Sequence, residues 1–524
     1  AKEVKMGLYL NPGNEEFRNA AIHSKIYVDK TEMIKFTNSQ LFGEHKNICV
    51  SRPRRFGKSM AANMLVAYYS KGCDSKELFE NFKIADDSSF KEHLNKYNVI
   101  HLNIQQFLGR TETIHEMLEL LSRKVTRELK REFADVTYYE EDLVSVIEEI
   151  YAQTHSFFVF IIDEWDCIFR VKGEDTEAQK LYLNFLRDLL KNQPYCILAY
   201  MTGILPIKKY GEHSALNMFD EYSMTNQREL AEFTGFTEQE VQELCPQYDM
   251  SYDKMKQWYD GFTFGEHRDI YNPWSITNYL DERKLYPYWA STSSNGLVSR
   301  LIQTSSADVK EKMEDLLNGQ EIIVNFDEQI VYNQLDHNVN AIWSLLLASG
   351  YLKVKQVDYR GITREPWYTL DITNVETLSM FTTMFQNWFQ NQDANYGYFM
   401  KALIAGDLEA MNYYMNKVAL ATFSYFDVGS EHGSDPEPER FYHGFVLGLI
   451  AERSGIYMIR SNRESGFGRY DIMMVPQERE KYPAIIIEFK VCSRMRKETL
   501  EEAVQSALDQ ITEKNYDAEL LAQG

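Results

Sequence analysis

Paired cysteines, leader-like segments, membrane-length apolar runs and an excess of positive charge are all missing from this chain of 524 residues. The six cysteines stand at 49, 73, 167, 196, 245 and 492, none in a CxxC and none at a zinc-binding spacing. That excludes a disulfide-dense scaffold and makes a reducing cytoplasm the simplest compartment. The opening residues, AKEVKMGLYLNPG, hold no apolar core, so no secretory leader is expected. The apolar run FFVFII (157–162) falls far short of the ~18 residues a spanning helix needs, so no membrane partner is expected. No repeat of 20–50 residues is evident, which argues against a solenoid. Acidic residues outnumber basic ones, 78 to 56, for a net charge of −22. Such a surface disfavours a whole-chain nucleic-acid footprint and leaves room only for a local basic groove.

What is present is a globular composition: 44% apolar, 14% aromatic and 26% charged. At ~150 residues per domain the length predicts about three domains. NICV (47–50), NVIHLNI (98–104), FFVFII (157–162) and YCILAYM (195–201) read as strands. Between them, 113–133 and 176–193 carry helical spacing, so the order predicts a parallel sheet with helices on both faces. From about 230 to 400 the pattern turns mostly helical. Thr237 and Glu240 form a capping box, Asp260-Gly261 gives a two-residue hairpin signal, and Asn272-Pro273 starts a helix. AIWSLLLASGYL (341–352) reads as a buried helix ending near Gly350. A helix-hairpin-helix order suits a lid or winged-helix module. GSEHGSDPEPER (429–440) reads as a loop. A helix over 441–454, strands over 456–461, 470–475 and 484–491, and a helix over 498–514 then make a compact α/β unit. The expected domains are 1–228, 229–400 and 401–524.

RPRRFGKS (52–59) lies between a strand and a helical stretch, the setting of a phosphate-binding loop. Gly57, Lys58 and Ser59 meet the GxxxxGK[ST] pattern, and Arg52 replaces its first glycine. The segment Arg54, Arg55, Phe56, Gly57, Lys58, Ser59 and Met60 would cradle phosphate through backbone N–H groups and a helix N-terminus. Arg52, Arg54 and Arg55 add positive charge. Lys58 would neutralise outer phosphates, and Ser59 would offer its hydroxyl to Mg²⁺. FFVFIIDEWD (157–166) ends in paired acids. Asp163 is placed to hold the Mg²⁺, and Glu164 to orient or deprotonate a water. Thr202, after the next strand, is placed to sense a γ-phosphate. The competing readings are a chance GKS on a basic turn, an acid-capped strand end and a plain Thr-Gly turn.

The last strands carry Asp471, Glu488 and Lys490. Glu488 and Lys490 share one strand face. Asp471 and Glu488 together could chelate Mg²⁺, with Glu452 as a further ligand. Lys490 could position a water or balance charge on a phosphate. The basic run VCSRMRK (491–497) could touch a nucleic-acid backbone. The competing readings are a buried Glu–Lys pair at a sheet edge and a solvated surface turn.

Ten segments in order carry a resemblance: IYVDKTEMI (26–34), SRPRRFGKS (51–59), IIDEWD (161–166), FTGFTEQEV (233–241), WYDGFTFG (258–265), IYNPWSI (270–276), YWASTSSN (288–295), FYHGFVLGLIAE (441–452), RYDIMMV (469–475) and IIIEFKV (485–491). The chain resembles bacterial AAA-ATPase-like proteins that end in a PD-(D/E)xK nuclease-superfamily domain. The resemblance covers nearly all of it. It implies a P-loop ATPase module, a helical middle and a restriction-endonuclease-like core. It carries the Walker A role onto Gly57, Lys58 and Ser59, the Walker B role onto Asp163 and Glu164, and the nuclease roles onto Asp471, Glu488 and Lys490. Asp29, Lys30, Gln510 and Tyr516 match further stations to which it gives no role. Tyr470 stands where the nuclease motif starts with a proline that varies across the superfamily. The terminal domain is expected to lack the last helix and strand that relatives usually carry. The implied cofactors are ATP and Mg²⁺, with Mn²⁺ as a second metal for the nuclease-like site, and the implied polymer is DNA or RNA. A homo-oligomer follows by analogy with ring-forming ATPases. The expected function is an ATPase controlling a nuclease. The alternatives are a nucleotide-switched scaffold that binds without cutting and an ATPase that binds without turnover.

Overall fold

The computed structural model describes residues 6–172, 175–207, 215–226, 228–290, 296–328, 340–390, 396–427, 437–453, 455–462, 470–490, 492 and 496–524. At 297, 388–390, 396, 420–427, 437–441, 453, 462, 470 and 471 it describes the backbone alone. Two compact units result: 1–289 with 324–376, and 290–323 with 377–524.

The first unit is built on five strands: β1 (Asn47–Ser51), β2 (Asn98–Asn103), β3 (Phe158–Asp163), β4 (Cys196–Gly203) and β5 (Asp220–Tyr222). All pair in parallel, in the order β2-β3-β4-β1-β5. The apolar runs are continuous because both faces are covered. Ile48, Val50, Val159, Ile161 and Leu198 share a core with Leu65 and Val66 of helix Lys58–Tyr69, while Cys49, Phe158, Phe160 and Ile162 are buried as well. The four anticipated strands are present; the short β5 carries too little pattern to stand out. Helices Ile114–Glu132 and Thr176–Leu190 occupy the expected segments, each started by a side-chain cap, Thr113 and Asp175.

The edge of β2 is closed by the segment near residue 10. Leu10 bridges Ile100, and the Asn11 N–H donates to the Val99 carbonyl at 2.7 Å. The buried Glu128 carboxylate fixes this segment. It accepts the backbone N–H groups of Leu8 (3.1 Å), Tyr9 (2.9 Å) and Leu10 (2.9 Å).

Thr237 and Glu240 cap helix Glu238–Gln247 reciprocally, and Asn272 with Pro273 starts helix Pro273–Glu282. The hairpin reading of Asp260-Gly261 is corrected. Asp260 ends helix Tyr252–Tyr259, and the hairpin β6 (Phe262–Phe264) to β7 (His267–Ile270) turns at 265–266. Gly261, at φ +118°, serves close packing: a Cβ there would lie 2.2 Å from the Thr373 carbonyl oxygen. Beyond the short β8 (Ile322–Val324), the buried helix Ala341–Ala348 is as expected. The mostly helical reading fails after it. LKVKQVDYR and EPWYTLDI pair as antiparallel β9 (Leu352–Arg360) and β10 (Glu365–Ile372). Leu352 and Val354 sit two apart, a period of two that was legible.

In the second unit, β11 (Tyr457–Asn462), β12 (Tyr470–Pro476) and β13 (Ile485–Phe489) form an antiparallel sheet in that order. Helices Glu437–Arg453 and Leu500–Glu513 flank it in sequence. The expected loop over 429–440 falls partly outside the described residues, and from Glu437 the chain is already helical. Helix Ala307–Leu317 belongs to this unit. Its buried Glu314 meets buried His443 at 3.2 Å and accepts from Ser461 at 2.7 Å. No described helix is long and apolar enough to cross a membrane.

Candidate nucleotide and nuclease-like sites

β1 runs into a tight turn and then into helix Lys58–Tyr69, whose N-cap is Gly57 at φ +86°. Arg55 also takes a left-handed backbone, at φ +65°. These two residues reverse the chain so that the N–H groups opening the helix face one space. β4 lies between β1 and β3, which brings the ends of all three strands together. There the Ser59 hydroxyl donates to Asp163 Oδ2 at 2.6 Å. The Thr202 hydroxyl donates to Asp163 Oδ1, and the Glu164 N–H does so at 3.1 Å. A hydroxyl and a buried carboxylate in contact form an all-oxygen donor set, which fits Mg²⁺.

Lys58 is buried and donates to the Arg52 carbonyl at 3.1 Å and the Pro53 carbonyl at 2.8 Å. Burial pushes its ammonium below the ordinary value, against the pull of Glu164, Asp163 and Asp166. Phosphate oxygens are chemically suited to replace those two carbonyls.

The C-terminal residues converge differently. Backbone register sets Asp471 directly opposite Glu488 on β12 and β13. The Asp471 carboxylate itself lies outside the described side chains. The Glu488 side chain is buried, and its Oε1 stands 3.6 Å from the Lys490 ammonium. Lys490 also donates to Gln510 Oε1, and Gln510 Nε2 lies 3.4 Å from the Tyr516 hydroxyl. Glu452 is half-buried near the end of helix Glu437–Arg453, which packs on β11. Among the described residues no three His, Cys, Asp or Glu side chains gather as a metal site. Most of the basic run 491–497 lies outside the described residues.

Residues 12–211 match a family model described as a predicted AAA-ATPase, and residues 437–524 match one described as the PD-(D/E)XK nuclease superfamily. The chain joins an AAA-ATPase-like domain to a PD-(D/E)XK nuclease-superfamily domain. An uncharacterized protein in the vnfD 5′ region of Azotobacter chroococcum mcd 1 is 22% identical over 367 residues. That match covers 67% of this chain, and the chain spans 64% of the relative's length. The match to the Aeropyrum pernix ORC2 structure covers 67% of this chain and 92% of that one, at 10% identity and a TM-score of 0.23.

Within the AAA-ATPase-like domain, the charge expected from Arg52 is not available to phosphate. Its guanidinium is fully buried, donates to the carbonyls of Ser51 (3.0 Å), Tyr222 (3.2 Å) and Leu230 (3.2 Å), and lies 4.4 Å over the Phe264 ring. Burial pushes it down to about 9. It braces the turn from behind, which explains how an arginine occupies the pattern's first glycine position. Arg55 stacks 4.3 Å over Trp274, and Arg54 is exposed while its carbonyl accepts from Trp289 Nε1 at 3.0 Å. The Phe56 side chain is core, with its ring 4.7 Å from that of Phe262, so it is not itself available to a ligand. Met60 is exposed.

Asp29 accepts the N–H groups of Thr31 and Lys83, and Lys30 pairs with Glu240 at 2.6 Å, so both act as structural ties. Sequence reasoning missed Asp166 and Arg170. Asp166 is fully buried and accepts from Ile204 N (3.0 Å) and Leu205 N (2.8 Å). Arg170 donates to Asp166 at 3.2 Å and to Glu164. The second Asp of DEWD and the arginine four residues on, one helical turn away, were the available signal.

Proposed function

We propose that the AAA-ATPase-like domain binds and hydrolyses Mg·ATP, and that this controls Mg²⁺- or Mn²⁺-dependent cleavage of DNA or RNA by the nuclease-like domain. The observation that carries the reading is the meeting of Ser59 and Asp163 beside buried Lys58 and Thr202. Lys58 and the turn's N–H groups bind phosphate. Ser59 and Asp163 would hold the metal, which would offset charge on the phosphates. Glu164 takes a proton from water as the water oxygen bonds to the γ-phosphorus. The bond from that phosphorus to the β–γ bridging oxygen breaks, and ADP leaves with the electron pair. In the second unit Asp471, Glu488 and Glu452 offer oxygen donors, and Lys490 balances charge on the cleaved phosphodiester. Lys58→Ala should abolish measurable Mg·ATP binding in a titration with labelled nucleotide. Unchanged affinity would refute the site.

The net charge of −22 favours a second reading, a nucleotide-switched scaffold, because it opposes non-specific adhesion to nucleic acid. Cleavage through a basic groove requires nucleic-acid affinity that falls steeply with salt. Affinity without that slope, together with partner capture, would favour the scaffold.

A further inference from the structure

Resting on the hydrolytic reading of Glu164, we propose that Arg170 is an internal restraint on that base, released through the loop after β4. Glu164 carries a left-handed backbone, φ +56°, which a long side chain rarely adopts. Its N–H is held by Asp163 at 3.1 Å, and its carboxylate Oε2 by the Arg170 guanidinium. Both partners are largely withdrawn from solvent, at 20% and 9% side-chain exposure, so water screens the pair weakly. A carboxylate oxygen occupied by a guanidinium has a lone pair engaged that a water proton would otherwise take.

The hold on Arg170 is not local. Its Nε donates to Asp166 Oδ2 at 3.2 Å, and the same oxygen accepts the N–H groups of Ile204 and Leu205. Those residues follow Thr202, whose hydroxyl is on Asp163. One chain segment, 202–205, therefore touches the metal-binding acid at one end and the anchor of Arg170 at the other. A phosphate that draws Thr202 off Asp163 shifts the segment, loosens Asp166 from Arg170, and frees Glu164. Nucleotide binding and base release are thus linked through four residues of backbone.

The test uses the full chain with Arg170→Gln, Arg170→Ala and Arg170→Lys, and the double variant Arg170→Gln/Glu164→Gln. Glutamine removes the charge and most of the guanidinium's donors but keeps a polar N–H side chain beside buried Asp166, which limits misfolding relative to alanine. Affinity for labelled ATP and single-turnover phosphate release are measured separately. Expected are affinities within about twofold of the parent and release about tenfold faster in the Gln and Ala variants, equal to about 1.4 kcal/mol off the barrier. Lys should behave like the parent, and the double variant should not release phosphate. Unchanged or slower release in Arg170→Gln with affinity intact overturns the restraint while leaving the nucleotide site standing. Loss of nucleotide binding in the parent itself would instead remove the site, and the restraint with it.

Discussion

The Ser59 hydroxyl and the Asp163 carboxylate meet at 2.6 Å across 104 residues of sequence. In the proposed site these two residues would hold the metal between them. Ser59→Ala should therefore leave the fold intact and weaken nucleotide binding only when Mg²⁺ is present. The expected loss is about 1.5–3 kcal/mol, taking the lost oxygen contact to the cation as comparable to a hydrogen bond to a charged group. Titrations with and without chelator check it, and an equal loss in both would place the metal elsewhere.

That pairing was legible because a glycine-lysine-serine turn after one apolar strand and acids ending another constrain each other. The helical caps at Thr237 and Asn272 were legible too, since each needs only local chemistry. What escaped was long-range. Nothing near Arg52 in sequence announces that the carbonyls of Tyr222 and Leu230 will take its charge inward. Asp260-Gly261 misled for the same reason: the glycine answers to Thr373, over a hundred residues away, and the local turn signal is incidental. Helix Ala307–Leu317 gives no sequence sign that His443 and Ser461 will be its partners.

Glu128 gathers three backbone N–H groups on one buried carboxylate. Without it the donors of Leu8, Tyr9 and Leu10 lose their acceptor, and the edge of β2 loses its cover. Glu128→Ala should lower stability by about 2–4 kcal/mol. Amide exchange should accelerate at residues 8–11 well before the central strands. Uniform protection in the variant would show that the Leu10–Ile100 bridge holds this segment alone.

Asp471 and Glu488 are register partners on neighbouring strands, and Lys490 is held by Gln510 as well as by Glu488. If this is a cutting site, Asp471→Ala and Glu488→Ala should each abolish cleavage that depends on Mg²⁺ or Mn²⁺, without lowering Mg·ATP affinity. Gln510→Ala should reduce cleavage less, because Lys490 keeps its contact with Glu488. Full cleavage in both carboxylate variants would assign the activity to another protein in the preparation.

Asp260 closes helix Tyr252–Tyr259 in a mostly buried position near a second carboxylate, Asp269. Burial first, and then the Asp269 charge, push it from an ordinary 3.8 up to about 7. Lys256, 3.9 Å away, offsets only part of this. Because the folded value is the higher one, the group's stabilising contribution is complete below about 3.8 and is lost as pH rises to about 7. At pH 8 the fold must carry an ionised, poorly solvated carboxylate. Asp260→Asn should therefore stabilise the first unit by about 1–3 kcal/mol at pH 8 and by almost nothing near pH 4. Urea unfolding of parent and variant across this range checks the sign, since effects shared by the rest of the acidic chain cancel in the difference. A difference that stays flat with pH would mean that Asp260 ionises as freely in the folded protein as in the unfolded chain.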